Sequence, residues 1–182
     1  MEHDTLQLSY GKQITSASDT LRLISAGELY KRIAQPDDAL QSRIQQLRTL
    51  QQMDAKQYQK QKIHLPYVTC GRFNPPYRRL KHFSAIDCFI LDIDHLGTHE
   101  INMQLLREKL AMDDRIVLLF TSPGNDGLKL LFRLSETVYD TGKFSMFYKL
   151  FARQFAGQYA LQNVMDTKSS DVTRACFLAV DE

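Results

Sequence analysis

The feature that most constrains this chain is the run Ile86-Asp-Cys-Phe-Ile-Leu-Asp92-Ile-Asp94. Its middle is apolar and β-branched, so residues 86–94 read as a strand buried on both faces, near the centre of a sheet. It ends in two acids two residues apart. Side chains alternate along a strand, so Asp92 and Asp94 project from one face, about 6.6 Å apart. At an effective dielectric near 20 the two charges repel by about 2.5 kcal/mol. A divalent cation with a preference for oxygen ligands, Mg²⁺ or Mn²⁺, would offset that repulsion. Without a cation, removing one charge is expected to raise stability slightly. A solvated strand end, or caps for the following helix, would also account for the pair.

The elements around this strand indicate an α+β chain. Residues 1–63 read as a polar, helical accessory region, and 64–182 as the strand-rich core of a single compact domain. Ser25 and Glu28 have capping-box spacing for a helix reaching Ala34. Asp37 precedes a second helix with Leu40, Ile44, Leu47 and Leu50 at helical spacing, and Asp54 caps a third that ends near Ile63. Strands are expected at 66–73, 115–121, 128–134 and 173–180, with helices at 100–111 and 141–160. In the first of these helices Ile101, Leu105 and Leu106 share a side. In the second, Phe144, Phe147, Tyr148, Phe151 and Phe155 form a core-facing stripe. Together these elements predict one sheet with helices against a face. The chain stops directly after its last expected strand, which suits either a natural end or a domain cut from something longer.

Composition narrows the class. Hydrophobic residues at 43% and charged residues at 24% suit a soluble globular protein, and the net charge of +2 points to no particular partner. No apolar run approaches the roughly 18 residues of a membrane span, and the first ten residues lack a signal-peptide pattern. Cys70, Cys88 and Cys176 are odd in number, far apart and set among apolar residues, which suits packing in a reducing cytoplasm.

Three further clusters carry polar chemistry. Ser122-Pro-Gly-Asn-Asp-Gly127, followed by Lys129, is a turn dense in breakers between two strands. Glycines there would let the backbone approach a phosphate, with Lys129 as a point charge, although any Gly-rich hairpin looks similar. Asp166-Thr-Lys-Ser-Ser-Asp171-Val-Thr-Arg174 could bring a third carboxylate and an arginine to the same place, or be a surface loop with ordinary turn chemistry. Arg72, Arg78, Arg79 and Lys81, interleaved with Phe73, Tyr77 and Phe83, could grip a nucleic-acid backbone or be solvated strand ends.

In order, these clusters resemble the archaeo-eukaryotic primase (primase-polymerase) superfamily. Asp92-Ile-Asp94 stands at its first motif and Met165-Asp166 at its third. In the middle motif Lys129, three before Phe132, stands where the family has histidine. The turn, Asp171-Val-Thr-Arg174 and His64-Leu-Pro-Tyr-Val-Thr-Cys-Gly71-Arg-Phe73 are closest to the VirE N-terminal-like and CRISPR-associated primase-polymerases, a likeness spanning about 62–180. The resemblance implies an RRM-like antiparallel or mixed sheet facing a second small unit. It implies template-directed nucleotidyl transfer with two Mg²⁺ or Mn²⁺ ions held by Asp92, Asp94 and Asp166. Ser122, Gly127, Lys129 and Arg174 would contact the triphosphate of an NTP or dNTP, and Arg72, Arg78, Arg79 and Lys81 a single-stranded or primed DNA template. CRISPR adaptation proteins are the partners implied for one branch.

Three other readings compete. Haloacid-dehalogenase phosphatases want Thr or Val where Leu96 stands, and a later Gly-Asp dipeptide that this chain does not contain. DxD glycosyltransferases open on a nucleotide-binding βα unit rather than polar helices. A non-catalytic nucleic-acid-binding module would have no need of the intact acid pair.

Overall fold

The computed structural model describes residues 6–167 and 169–181, so position 168 of the 166–174 cluster, residues 1–5 and the last residue lie outside it. Two four-stranded antiparallel sheets form the α+β framework. The first has the order β2 (Arg22–Ser25), β1 (Gln7–Gly11), β3 (Tyr67–Thr69), β8 (Cys176–Phe177). The second runs β4 (Gly71–Phe73), β5 (Phe83–Ile93), β7 (Leu128–Val138), β6 (Ile116–Thr121). Five helices complete the fold: α1 (Ala26–Ala34), α2 (Asp38–Met53), α3 (Ala55–Lys62), α4 (Met103–Ala111) and α5 (Thr141–Tyr159).

The single sheet expected from sequence is therefore two, and the strand expected at 66–73 is divided between them. The chain leaves the first sheet after Thr69 and enters the second at Gly71. A β-carbon on Gly71 would lie 2.5 Å from the Val172 carbonyl oxygen, so the crossing needs glycine. The Ser9 hydroxyl donates to the Gly71 carbonyl at 2.8 Å and joins the sheets there.

The first 63 residues are not only helical. Gln7–Gly11 and Arg22–Ser25 pair with each other, and β1 also pairs with β3. Leu6, Leu8 and Ile24 from this region pack in the same buried cluster as Phe89, Leu91 and Leu130. The three helix starts read from sequence do hold. Ser25 accepts from the Glu28 amide, Asp37 from Leu40, and Asp54 from Lys56 and Gln57, each satisfying amides that a helix leaves open.

Differences elsewhere follow from packing. Helix α4 starts at Met103 because Asn102 caps it, and it buries Leu106 and Leu110 while Leu105 is 63% exposed. In α5 the aromatic stripe packs on Phe89 and Phe132 of β5 and β7, with Phe147 at its margin, 39% exposed. The last strand is only Cys176–Phe177. Helices α2 and α3 share a smaller cluster of Ile44, Leu47, Tyr58, Leu65 and Val180. It seats the end of α3 against the C-terminal segment.

Because Leu8 is fully buried in the cluster that also holds β5 and β7, Leu8→Ala should lower stability by about 2–5 kcal/mol. Denaturant unfolding followed by circular dichroism and by tyrosine fluorescence should show one shifted transition. Two separate transitions would mean that the N-terminal strands fold apart from the rest.

Candidate functional site

The site forms where three segments meet at the end of β5. Asp92 is the ladder partner of Lys129, and Ile93 of Leu128, across β5 and β7. On the other side Ile93 bridges Met165, with Asp94 N–H donating to the Val164 carbonyl (2.9 Å) and Asp166 N–H to the Asp92 carbonyl (3.1 Å). Alternation then sends the side chains of Asp92, Asp94, Asp166 and Lys129 to one face. Residues more than seventy positions apart meet in this way.

Asp92 is 5% exposed and Lys129 6%. Lys129 Nζ lies 2.5 Å from Asp92 Oδ1, and Arg174 Nη2 2.6 Å from Oδ2. The same guanidinium reaches Asp166 through Nη1 at 2.9 Å. Asp166 also accepts from the Ser169 amide at 3.1 Å and from its hydroxyl. Burial pushes the Asp92 carboxyl up, but the charges of Lys129 and Arg174 outweigh it and hold it below its ordinary value. Burial pulls Lys129 and Arg174 down, and Asp92 more than restores both. Asp171 is not part of this array; its carboxylate accepts from the Thr173 amide at 2.7 Å and fixes the turn before Arg174.

Asp94 stands at the rim, half-buried, and joins no ion pair among the described residues. The turn closes over it. Ser122, buried, has its N–H donating to the Gly127 carbonyl at 2.8 Å. A β-carbon on Gly127 would fall 2.2 Å from the Ile93 carbonyl oxygen and 3.1 Å from Asp94 Oδ1, so glycine is what lets the turn lie against the end of β5. Beneath the turn lies Tyr58 of α3, whose hydroxyl would be 2.8 Å from a β-carbon on Gly124. Lys62, the last residue of α3, holds its Nζ over the rings of Tyr58 (5.5 Å) and Phe177 (5.8 Å). Neither Tyr58 nor Lys62 is marked by any local pattern in the sequence. Only the packing of α3 brings them here.

The basic run does not form one surface array. Arg72 pairs with Asp87 at 3.0 Å. Arg78 donates to the Thr173 carbonyl at 2.9 Å and lies over the Tyr67 ring. Arg79 donates to the Ala17 carbonyl at 3.2 Å. Arg79 and Lys81 are exposed. The three cysteines are buried and unbridged, and burial pushes the Cys176 thiol up to about 11, so it is neutral.

As arranged, these residues do not fit a divalent cation. Both oxygens of Asp92 are taken by cations, and Arg174 occupies the space between Asp92 and Asp166. Among the described residues no three His, Cys, Asp or Glu side chains converge on one point. The recess beside Asp92 and Arg174 has a volume of about 30 Å³, water-sized against the roughly 300–1,000 Å³ of a ligand pocket.

This geometry reverses the stability expected from two repelling carboxylates. Asp92→Ala would leave Lys129 buried without its counter-charge, and should destabilise by about 3–5 kcal/mol. Asp94→Ala, at the half-exposed rim, should change stability by about 1 kcal/mol or less. A carboxyl held below its ordinary value stabilises fully above that value, near pH 3.9, and loses the contribution as pH falls through the lowered one. Urea unfolding of both variants at pH 7 and pH 3 reads this: the gap between wild type and Asp92→Ala should narrow at the lower pH. Equal stabilities at pH 7 would contradict the buried ion cluster.

A search of curated proteins returns no significant match. Among solved structures, the polymerase domain of Mycobacterium tuberculosis ligase D in complex with DNA superposes with a TM-score of 0.42 and 12% identity, over 97% of this chain and 69% of that one. Residues 60–182 match the sequence model of the BT4734-like, N-terminal domain. The chain belongs to the BT4734-like N-terminal domain family.

Proposed function

We propose that this domain transfers nucleotidyl groups as a primase-polymerase, extending a primer on single-stranded DNA from an NTP or dNTP. The observation that carries this reading is that Asp92, Asp94 and Asp166 lie on one face, with Arg174 bridging Asp92 and Asp166, on segments whose order resembles the primase motifs. Asp94 is the carboxylate left without an ion partner and is the residue available to accept a proton from an attacking hydroxyl. Arg174 keeps further N–H donors beyond the two used on Asp92 and Asp166, and its side chain is 31% exposed, which suits contact with a phosphate. Arg78, which donates to the Thr173 carbonyl, and the exposed Arg79 and Lys81 suit a nucleic-acid backbone. Mg²⁺ or Mn²⁺ is the cofactor this reading asks for. Because the carboxylates as arranged do not hold one, the roles above are derived without it.

A second reading has its own support. The full neutralisation of Asp92 by Lys129 and Arg174 also suits a nucleic-acid-binding module that performs no chemistry.

Primer extension with either metal ion separates the two. Wild type should incorporate nucleotides, and Asp94→Ala and Asp166→Ala should each reduce incorporation by about 100-fold or more, the scale for loss of a positioned acid–base group. Oligonucleotide binding without any incorporation by wild type would favour the second reading, and near wild-type extension by either variant would remove that residue from the chemistry.

A further inference from the structure

Chain order makes Lys129 the natural phosphate-binding lysine, yet Lys129 is buried and in contact with Asp92. A charge enclosed in that pair has little left to offer an anion. The lysine near the same rim without a carboxylate partner is Lys62. Among the described residues it forms no ion pair, and its ammonium is held over the rings of Tyr58 and Phe177. Its stem is half-buried at the last turn of α3. Asp94, Asp92 and Lys129 all act electrostatically on it, so it shares the field of the carboxylate site. The Gly-rich turn is its neighbour through Tyr58, which packs against Gly124.

These features together describe a cation prepared for an anion. Two aromatic faces restrict the side chain, so little rotamer freedom is lost on binding. Burial and the nearby Lys129 charge push the Lys62 ammonium below its ordinary value, and the negative charge of an arriving polyanion would offset both. Across the rim, the turn lets backbone come close to the same ligand. Resting on the nucleotide-handling reading of the site, we propose that Lys62 is the lysine that binds the polyphosphate of the incoming nucleotide, and that Lys129 is a positioning residue which holds Asp92.

Calorimetric titration of the whole domain with inorganic tripolyphosphate and with ATP, in EDTA, tests this without depending on turnover. Lys62→Met keeps the apolar stem over the two rings and removes the charge; Lys62→Gln is the alternative if the Met variant does not fold. Either should bind both ligands about 10- to 100-fold more weakly than wild type, the range for a lost charged contact. Lys62→Arg should recover part of the loss, and affinity for a single-stranded oligonucleotide should stay within about twofold. Unchanged tripolyphosphate and ATP affinity in Lys62→Met would overturn the proposal, as would wild type that binds neither ligand, or a loss confined to the oligonucleotide. Failure of the enzymatic reading looks different: binding would depend on Lys62 while wild type extends no primer.

Discussion

A carboxylate that is 5% exposed at the end of a central strand has to be met by positive charge, and in this fold two distant segments supply it. Lys129 comes from the ladder partner of β5, and Arg174 from the loop that precedes β8. Their convergence on Asp92 ties the hairpin, the 164–166 segment and the C-terminal loop to one point. Removing solvent from three charges carries a large penalty that hydrophobic packing would not. What the ion cluster contributes is definition, since register between β5 and β7 and the course of the C-terminal loop must both be right for the charges to meet.

The same pairing divides the acids into two kinds. Asp92 is enclosed and neutralised, and Asp166 shares the guanidinium with it. Asp94 faces the rim beneath a turn that only glycine at 127 allows to close so tightly. The groups left open to solvent at the edge of the cluster are Asp94 and the partly exposed side of Arg174. Behind them the apolar interior is close-packed, with Phe89 stacked on Phe132 and both set edge-on against aromatic rings of α5.

Much of this arrangement is legible in the residues themselves. An apolar β-branched run closed by two alternating acids could only be a central strand with a charged end, and β5 is that strand. Helix starts at Ser25, Asp37 and Asp54 were readable because a capping side chain answers a local need. Strands β1 and β2 were not, because five and four residues are too short for alternation to stand out from a polar background. Division of residues 66–73 at Cys70 has no local signal either; it follows from the close approach of Val172 to Gly71. Lys129, expected as a free charge for a phosphate, is instead buried against the Asp92 carboxylate, because only the tertiary pairing of β5 and β7 sets the two side by side. Lys62 was hidden for a similar reason: a helix that reads as polar is carried to the site by Tyr58, Leu65 and Val180 packing beneath it.

The central claim is that Asp92 is held by this chain's own cations. A double-mutant cycle on Asp92→Ala and Lys129→Met, measured by urea unfolding in EDTA, isolates the pair from its surroundings. The account predicts that the double variant is more stable than the sum of the single losses implies, by about 2–3 kcal/mol, because Asp92→Ala strands the buried Lys129 charge and Lys129→Met leaves buried Asp92 with Arg174 alone, and the second change removes that charge in each case. Losses that add to within about 0.5 kcal/mol would contradict it.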